Sequence, residues 1–383
     1  MTPTRTRGPV RVVGTGLLGT SVGLALATRG VDVLLADPSP SAVALARDLG
    51  AGRPATDDDP PPALVVVAAP PDVTGDVVAD ELVRWPDAVV TDVASVKAGP
   101  LRRVADRGGD LARYVPGHPL AGRERGGAVA ARADLFAGRP WVVVPGADPA
   151  AVRRVEDLVT DLGATPVALS AAAHDEAVAI VSHVPQVAAS LVAARLRDAP
   201  AEAVALAGQG LRDVTRIAAS DPALWVQILG GNAAPVRRVL GALRDDLDVV
   251  LDALDRLAGG GTDDAGAAAG DAARDGGPAV GASAALAAVV AAGNDGHARI
   301  PGKHGAPPTP YAVVTVVVPD RPGELGRLFS DMGEVGVNLE DLRLEHSPGQ
   351  PVGLAELSVV PAARERLETA LSHRGWVVHS SPR

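Results

Sequence analysis

At 383 residues the chain is longer than a single hydrophobic core ordinarily organises, and its 47% hydrophobic content is enough for several cores. A net charge of -10 without any basic run excludes a nucleic-acid footprint, which needs clustered cations to displace condensed counterions. With no cysteine there is no disulfide or thiolate chemistry; no signal-peptide core and no run of about 18 apolar residues is read, so no membrane contact and a cytoplasmic location are expected.

From Pro9 to about Val167, short β-rich runs alternate with helical stretches: Val10 to Val13, Val31 to Ala36, Leu64 to Ala68, Ala88 to Thr91 and Trp141 to Val144. This alternation predicts an α/β Rossmann-type doubly wound sheet over residues 1–168. The stretch VRVVGTGLLGTS puts Gly14, Gly16, Leu17, Leu18 and Gly19 between the first strand and the first helix, and Asp37 ends the next strand. Strand, turn, helix, second strand and terminal acid within one unit point to a dinucleotide site, with the phosphates at the positive helix end. Asp37 would bond both ribose hydroxyls of NAD, whereas a 2'-phosphate would meet a carboxylate with no adjacent arginine. NAD is therefore expected over NADP.

Next comes TDVASVKAG (91–99), after a strand and so at the carboxyl edge of the sheet, where ligands of such folds bind. In PGHPLAGRERGG (116–127), His118 is expected in a loop, flanked by Gly117 and Pro119 rather than by packing residues. From Ala171 to Leu257 the β-runs vanish and Ala, Leu and Val recur at helical spacing, which predicts an all-helical domain over 169–258. It carries HDEAVAIVSHVPQ (174–186) and LRDVTRIAASDPALW (211–225). His174, beside Asp175 at a helix start, reads equally as a helix-end contact or a site residue. His183 and Gln186 share a face, and Pro185 is expected to kink their helix. Arg212 and Arg216 would on a generic helix be a solvated pair, Ser220-Asp221-Pro222 reads as a helix start, and Trp225 as core. There is no clustered metal-ligand signature, so no metal is expected.

Residues 259–309 read as a flexible linker and connecting segment, with Gly259 to Gly281 too poor in large apolar side chains to offset ordering entropy and a short helix from Ser283 to Ala292. Strand and helix patterns return over 310–383 as a small α+β domain.

The ASVK, HPLAG, SHVPQ and TRIAASDP segments, in this order after a dinucleotide fold, resemble those of the prephenate dehydrogenase family, and the resemblance covers essentially the whole chain. It implies NAD-dependent oxidative decarboxylation of prephenate to 4-hydroxyphenylpyruvate in tyrosine biosynthesis, by a homodimer paired through its helical domains. It further implies that His118 is the catalytic histidine, Ser95 its hydrogen-bonding partner, Arg216 the guanidinium that holds a substrate carboxylate, and Glu124 an acid that gates the pocket. Arg123 stands where it would face the pyruvyl arm, and His183 and Gln186 are pocket candidates. The family often writes a second histidine after SHxP, where this chain has Gln186. The residue types suit the chemistry on their own terms: a neutral imidazole accepts the carbinol proton as hydride leaves, and arginine offers a bidentate fork to a carboxylate.

VVTVVVPDRPGELGRLFSDMGEVGVNLEDLRLEH (313–346) resembles an ACT-type domain, which implies an effector site at Asp320, Pro322, Gly323 and Asn338 for an aromatic amino acid, with tyrosine expected. An unliganded dimerisation module remains the alternative. Arogenate as substrate also stays open, as do a hydroxyacid dehydrogenase and a non-catalytic ligand sensor. The hydroxyacid reading needs a lysine in the helical domain, and none lies between Lys97 and Lys303.

Overall fold

The computed structural model describes residues 3–122, 126–259, 278–301, 311–346 and 351–380. The chain divides into two compact units, residues 1–244 and 245–383.

The first unit opens with β1 (Val10–Val13), α1 (Leu17–Ala27), β2 (Val33–Ala36), α2 (Pro40–Asp48), β3 (Arg53–Pro54), β4 (Leu64–Val67), α3 (Thr74–Arg84), β5 (Val89–Asp92), α4 (Ala98–Asp106) and β6 (Tyr114–Val115). These strands form one parallel sheet in the order β3-β2-β1-β4-β5-β6. That is the doubly wound order, with its topological switch between β1 and β4. Both faces are covered, which is why the strands read as unbroken Val and Leu runs rather than alternating ones. Val10, Val12, Leu35 and Val66 pack with Val22 and Leu26 of α1 on one side. Val65, Val67 and Val90 pack with Val78, Leu82 and Val104 on the other.

The run expected from Trp141 to Val144 is a strand but not part of this sheet. β7 (Gly117–Pro119), β8 (Pro140–Val143) and, after α5 (Pro149–Asp161), β9 (Thr165–Ala168) make a separate three-stranded sheet. Pro116 lacks the N–H that would extend the β6 ladder, and the chain then turns into β7, antiparallel to β8. His118 accordingly sits in a short strand, in register with Val142, and not in the expected loop.

The helical segment follows as α6 (Ala171–Val178), a π-turn (Ala179–His183), α7 (Val184–Ala194), α8 (Ala201–Ala205), α9 (Gln209–Thr215), a 3-10 turn (Arg216–Ala218), α10 (Pro222–Gly231) and α11 (Ala233–Gly259), which runs across the boundary between the units. Asp221 caps α10 by accepting the Ala223 N–H, with Pro222 at the first turn, as its sequence predicts. The distortion expected at Pro185 takes the form of the π-turn just before it. Contrary to the sequence reading, the continuous helix Ala171–Ala194 is long and apolar enough, at a mean hydropathy of 1.7, to cross a membrane by length and composition. Its buried Asp175 nonetheless accepts the backbone N–H groups of Lys97 and Ala98, which packs the start of this helix against α4, while much of its apolar surface further along is exposed.

In the second unit the predicted helix at Ser283 to Ala292 is longer, α12 (Pro278–His297). It is followed by β10 (Ala312–Pro319), α13 (Glu324–Val335), β11 (Asp341–His346), β12 (Val352–Val359), α14 (Arg364–His373) and β13 (Val377–Ser380). The strands form an antiparallel sheet in the order β11-β12-β10-β13, a split βαβ arrangement. Val314, Val316, Ala355 and Leu357 bury one sheet face under Leu328, Met332, Leu367 and Leu371 of the two helices.

Candidate active site

The glycine turn is built by close approach. A Cβ on Gly19 would lie 1.9 Å from the Gly14 carbonyl oxygen, and Gly14, at φ 99°, has no room for one beside Ala68. Gly16 is different: a Cβ there would meet nothing, because its face is open, and no side chain caps the α1 N-terminus that begins at Leu17 and Leu18. Bare backbone amides at a positive helix end are what a pyrophosphate requires. Asp37, at the end of β2, accepts the Thr15 N–H at 2.7 Å and the Ser39 N–H at 2.8 Å, which aims its carboxylate at the turn. These residues fit NAD.

Around His118 the side chains come from distant parts of the chain. His118 Nδ1 lies 2.8 Å from His174 Nε2, and His174 Nδ1 lies 2.8 Å from Asp175 Oδ1. Asp175 also takes the Lys97 N–H at 2.8 Å and the Ala98 N–H at 2.9 Å, at the start of α4. Ser95 lies in the segment after β5, at the carboxyl edge as expected, but makes no hydrogen bond with His118; the partner is His174, which the sequence left undecided. Burial, followed by the nearby His174, Lys97 and His183, pushes His118 well below the usual histidine value of 6.5, so it is neutral at physiological pH. Burial would raise Asp175, but the bonds from His174, Ala98 and Lys97 outweigh it and hold the carboxyl below its usual range.

Beneath His118 lies a fully buried polar cluster. Lys97 Nζ bonds to Asp92 and to the Gly117 carbonyl oxygen, the latter at 2.6 Å, and Tyr114 donates to Asp92 Oδ2 at 2.7 Å. Lys97 is drawn below its usual value by burial, against the upward pull of Asp92. This lysine holds the peptide just before His118. Gly117 must stay glycine there, since a Cβ would lie 2.8 Å from Trp141 Nε1 and 2.9 Å from the Asp92 carbonyl. Sequence reasoning saw Lys97 only as part of a motif; the signal it offered was a lone lysine at the end of an apolar strand segment.

His183, in the π-turn, is buried and lowered to about 4, chiefly by burial. Asn232 Nδ2 donates to the Asp175 carbonyl at 2.7 Å and reaches His183 Nδ1 at 3.1 Å. Trp225 stands edge-on to His183 at 6.1 Å. Trp225 and Gln186 line a cavity of about 300 Å³, together with Ser190, Ala218, Ser220 and Leu229, so Trp225 is wall rather than core. Arg216 is exposed and opens the 3-10 turn whose last residue, Ala218, lines that cavity. Arg123 and Glu124 lie outside the described residues. So do most residues of the segment Pro301 to Gly305.

The proposed effector residues fall in the second unit. Asp320, Pro322 and Gly323 form the exposed turn before α13, whose N-terminus no side chain caps. Asn338 precedes β11 and donates to Glu340 at 2.8 Å.

A chain that builds an open dinucleotide turn and follows the same sheet's edge strand with a neutral, hydrogen-bonded histidine has the makings of an NAD-dependent dehydrogenase. The comparisons with known proteins agree. Residues 22–168 match the family description "Prephenate dehydrogenase, nucleotide-binding domain", and residues 170–258 match "Prephenate dehydrogenase, dimerization domain". The probable prephenate dehydrogenase NovF of Streptomyces niveus is 41% identical over 96% of this chain and 99% of its own. The cyclohexadienyl dehydrogenase of Zymomonas mobilis is 33% identical over 42% of this chain and 57% of its own. Among solved structures, the Aquifex aeolicus prephenate dehydrogenase in complex with hydroxyphenyl propionate and NAD+ superposes with a TM-score of 0.59 at 27% identity, over 67% of this chain and 93% of that one. The chain belongs to the prephenate dehydrogenase family and is an NAD-dependent oxidoreductase.

Proposed function

We propose that this enzyme converts prephenate to 4-hydroxyphenylpyruvate with loss of carbon dioxide, in tyrosine biosynthesis in the cytoplasm. The observation that carries the reading is the neutral His118 bound to His174 through Nδ1, which leaves Nε2 for a substrate hydroxyl. His118 accepts the carbinol proton as hydride leaves, and the electron push lowers the barrier. NAD supplies the hydride acceptor. Decarboxylation then aromatises the ring. Arg216 anchors a substrate carboxylate with its planar fork, and Gln186 and His183 face the ring pocket beside Trp225. The family resemblance assigns Arg123 to the pyruvyl arm and makes Glu124 a gating acid, and Ser95 supports the site from the carboxyl edge without touching His118.

Prephenate is favoured over arogenate because none of the described residues lining the cavity carries a negative charge to meet an ammonium. In the domain plan, residues 1–168 bind cofactor, 169–258 bind substrate and pair, 259–309 connect, and 310–383 form an ACT-type regulatory domain. Pairing as a homodimer is supported by the apolar side chains the helical segment exposes: Ile180 at 59%, Val181 at 68%, Leu191 at 57% and Val226 at 71%. The βαββαβ order of the C-terminal sheet and the uncapped α13 support an aromatic amino acid, tyrosine first, as effector at Asp320, Pro322, Gly323 and Asn338.

Absorbance of NADH, followed with prephenate and with arogenate in parallel, tests the substrate. Higher kcat/KM for prephenate is expected, and a preference for arogenate would reverse the assignment. Tyrosine titrated into the full chain with and without prephenate tests the regulation, since linkage demands that each ligand change the other's affinity by the same factor. Equal tyrosine affinity in both titrations would leave the C-terminal unit as scaffold.

A further inference from the structure

The bonds around Asp175 form a continuous chain of donors and acceptors, and with His174 as a neutral ring only one assignment of protons satisfies all of them. Asp175 accepts two backbone N–H groups at the start of α4, and backbone amides can only donate. The carboxylate is therefore an acceptor toward His174 as well, so the proton in that contact sits on His174 Nδ1. A neutral imidazole carries one proton, which makes His174 Nε2 an acceptor. His118 must then donate from Nδ1, and its Nε2 is left with a free lone pair.

The backbone of the same residue sets a second histidine. The Asp175 carbonyl can only accept, so the atom of Asn232 beside it is the amide nitrogen, and that nitrogen also faces His183 Nδ1. His183 Nδ1 must accept, and its proton lies on Nε2. Asp175 thus holds two histidines in opposite tautomers, one with Nε2 as acceptor and the other with Nε2 as donor.

We infer that Asp175, through His174 and Asn232, is the positioning residue that sets His118 as a base at Nε2 and His183 as a hydrogen-bond donor at Nε2. The inference rests on the reading of His118 as the base. As the carbinol proton arrives on His118 Nε2, the imidazolium keeps its Nδ1–H directed at His174, whose own Nδ1–H remains on Asp175. No proton needs to leave the chain, and the charge that develops on His118 faces a carboxylate through one neutral ring. His174 and Asp175 touch neither substrate nor cofactor in this scheme.

The test combines kinetics with 15N spectra of the full-length protein labelled at histidine, with the His118 and His183 signals assigned by single substitutions. In the native enzyme His118 should carry its proton on Nδ1 and His183 on Nε2. His174→Gln keeps the direction of the chain, because its amide oxygen accepts from His118 and its amide nitrogen donates to Asp175; it should retain turnover within about threefold and leave the His118 tautomer unchanged. His174→Leu removes the acceptor; it should lower kcat roughly 100-fold with KM for both substrates within about threefold, and give His118 a mixture of tautomers. NAD affinity, equal in both variants, checks that the fold survives. A native His118 protonated on Nε2, or a His174→Leu enzyme with full turnover, would overturn the inference. His118→Asn separates the two levels: if it keeps native turnover, the reading of His118 as base fails, whereas if it is inactive while His174→Leu is fully active, only the role of Asp175 fails.

Discussion

The cofactor turn and the histidine chain lie in the same unit but are made in opposite ways. Everything the turn needs lies between Val10 and Asp37, and its working parts are backbone: amides at the head of α1, a close contact between Gly14 and Gly19, and one acid at the end of β2. The histidine chain is built on side chains, tied at its ends to backbone groups, and it spans Asp92 to Asn232. Asp175 reaches Lys97 across 78 positions to make one of its bonds. A site of the first kind is assembled as soon as one βαβ unit folds, whereas the second exists only once the helical segment has docked on the sheet.

That contrast predicts that the two regions can be broken separately. The largest effect should come from His118→Asn, which lowers kcat roughly 100-fold to 10,000-fold while leaving NAD affinity near native, as rapid kinetics and NAD titration would show. A parallel loss of NAD binding would mean the regions are not independent. Lys97→Met tests whether the buried cluster is structural support: it leaves the fully buried Asp92 without its cation and should destabilise the protein by about 3–5 kcal/mol in urea unfolding. A loss under about 1 kcal/mol would show the cluster tolerates an uncharged partner. The smallest change belongs to the turn. Asp37→Ala should narrow the preference for NAD over NADP by roughly tenfold in kcat/KM, because the carboxylate that would repel a 2'-phosphate is gone. An unchanged ratio would place cofactor selection elsewhere.

The same contrast explains what the sequence made legible. The turn was readable because the spacing of its glycines and its terminal acid is local, with Gly19 packed directly on the Gly14 carbonyl. The strands of the main sheet were readable as apolar runs, but Trp141 to Val144 gave no sign of joining a different sheet, since a short apolar strand carries no mark of its partner. His118 was found through a motif and then placed in a loop, because the β7–β8 pairing that fixes it is not local. His174 stayed undecided and Asn232 went unnoticed. Neither has any periodic or local signature; their roles come from what lies opposite them in the folded unit. Ser95 shows the reverse error, a residue correctly placed at the sheet edge and given a bond that His174 makes instead.

The most direct test of the account is the pH dependence of kcat/KM for prephenate oxidation. His118 is held well below 6.5 in the fold, so its proton-accepting form prevails down to that pH and is lost only in more acidic solution. The native enzyme should therefore show kcat/KM for prephenate flat from neutral pH to about 6.5 and declining below it, and the residual activity of His118→Asn should lack that acidic limb. A limb centred at or above 6.5, or the same limb surviving in His118→Asn, would contradict His118 as the base.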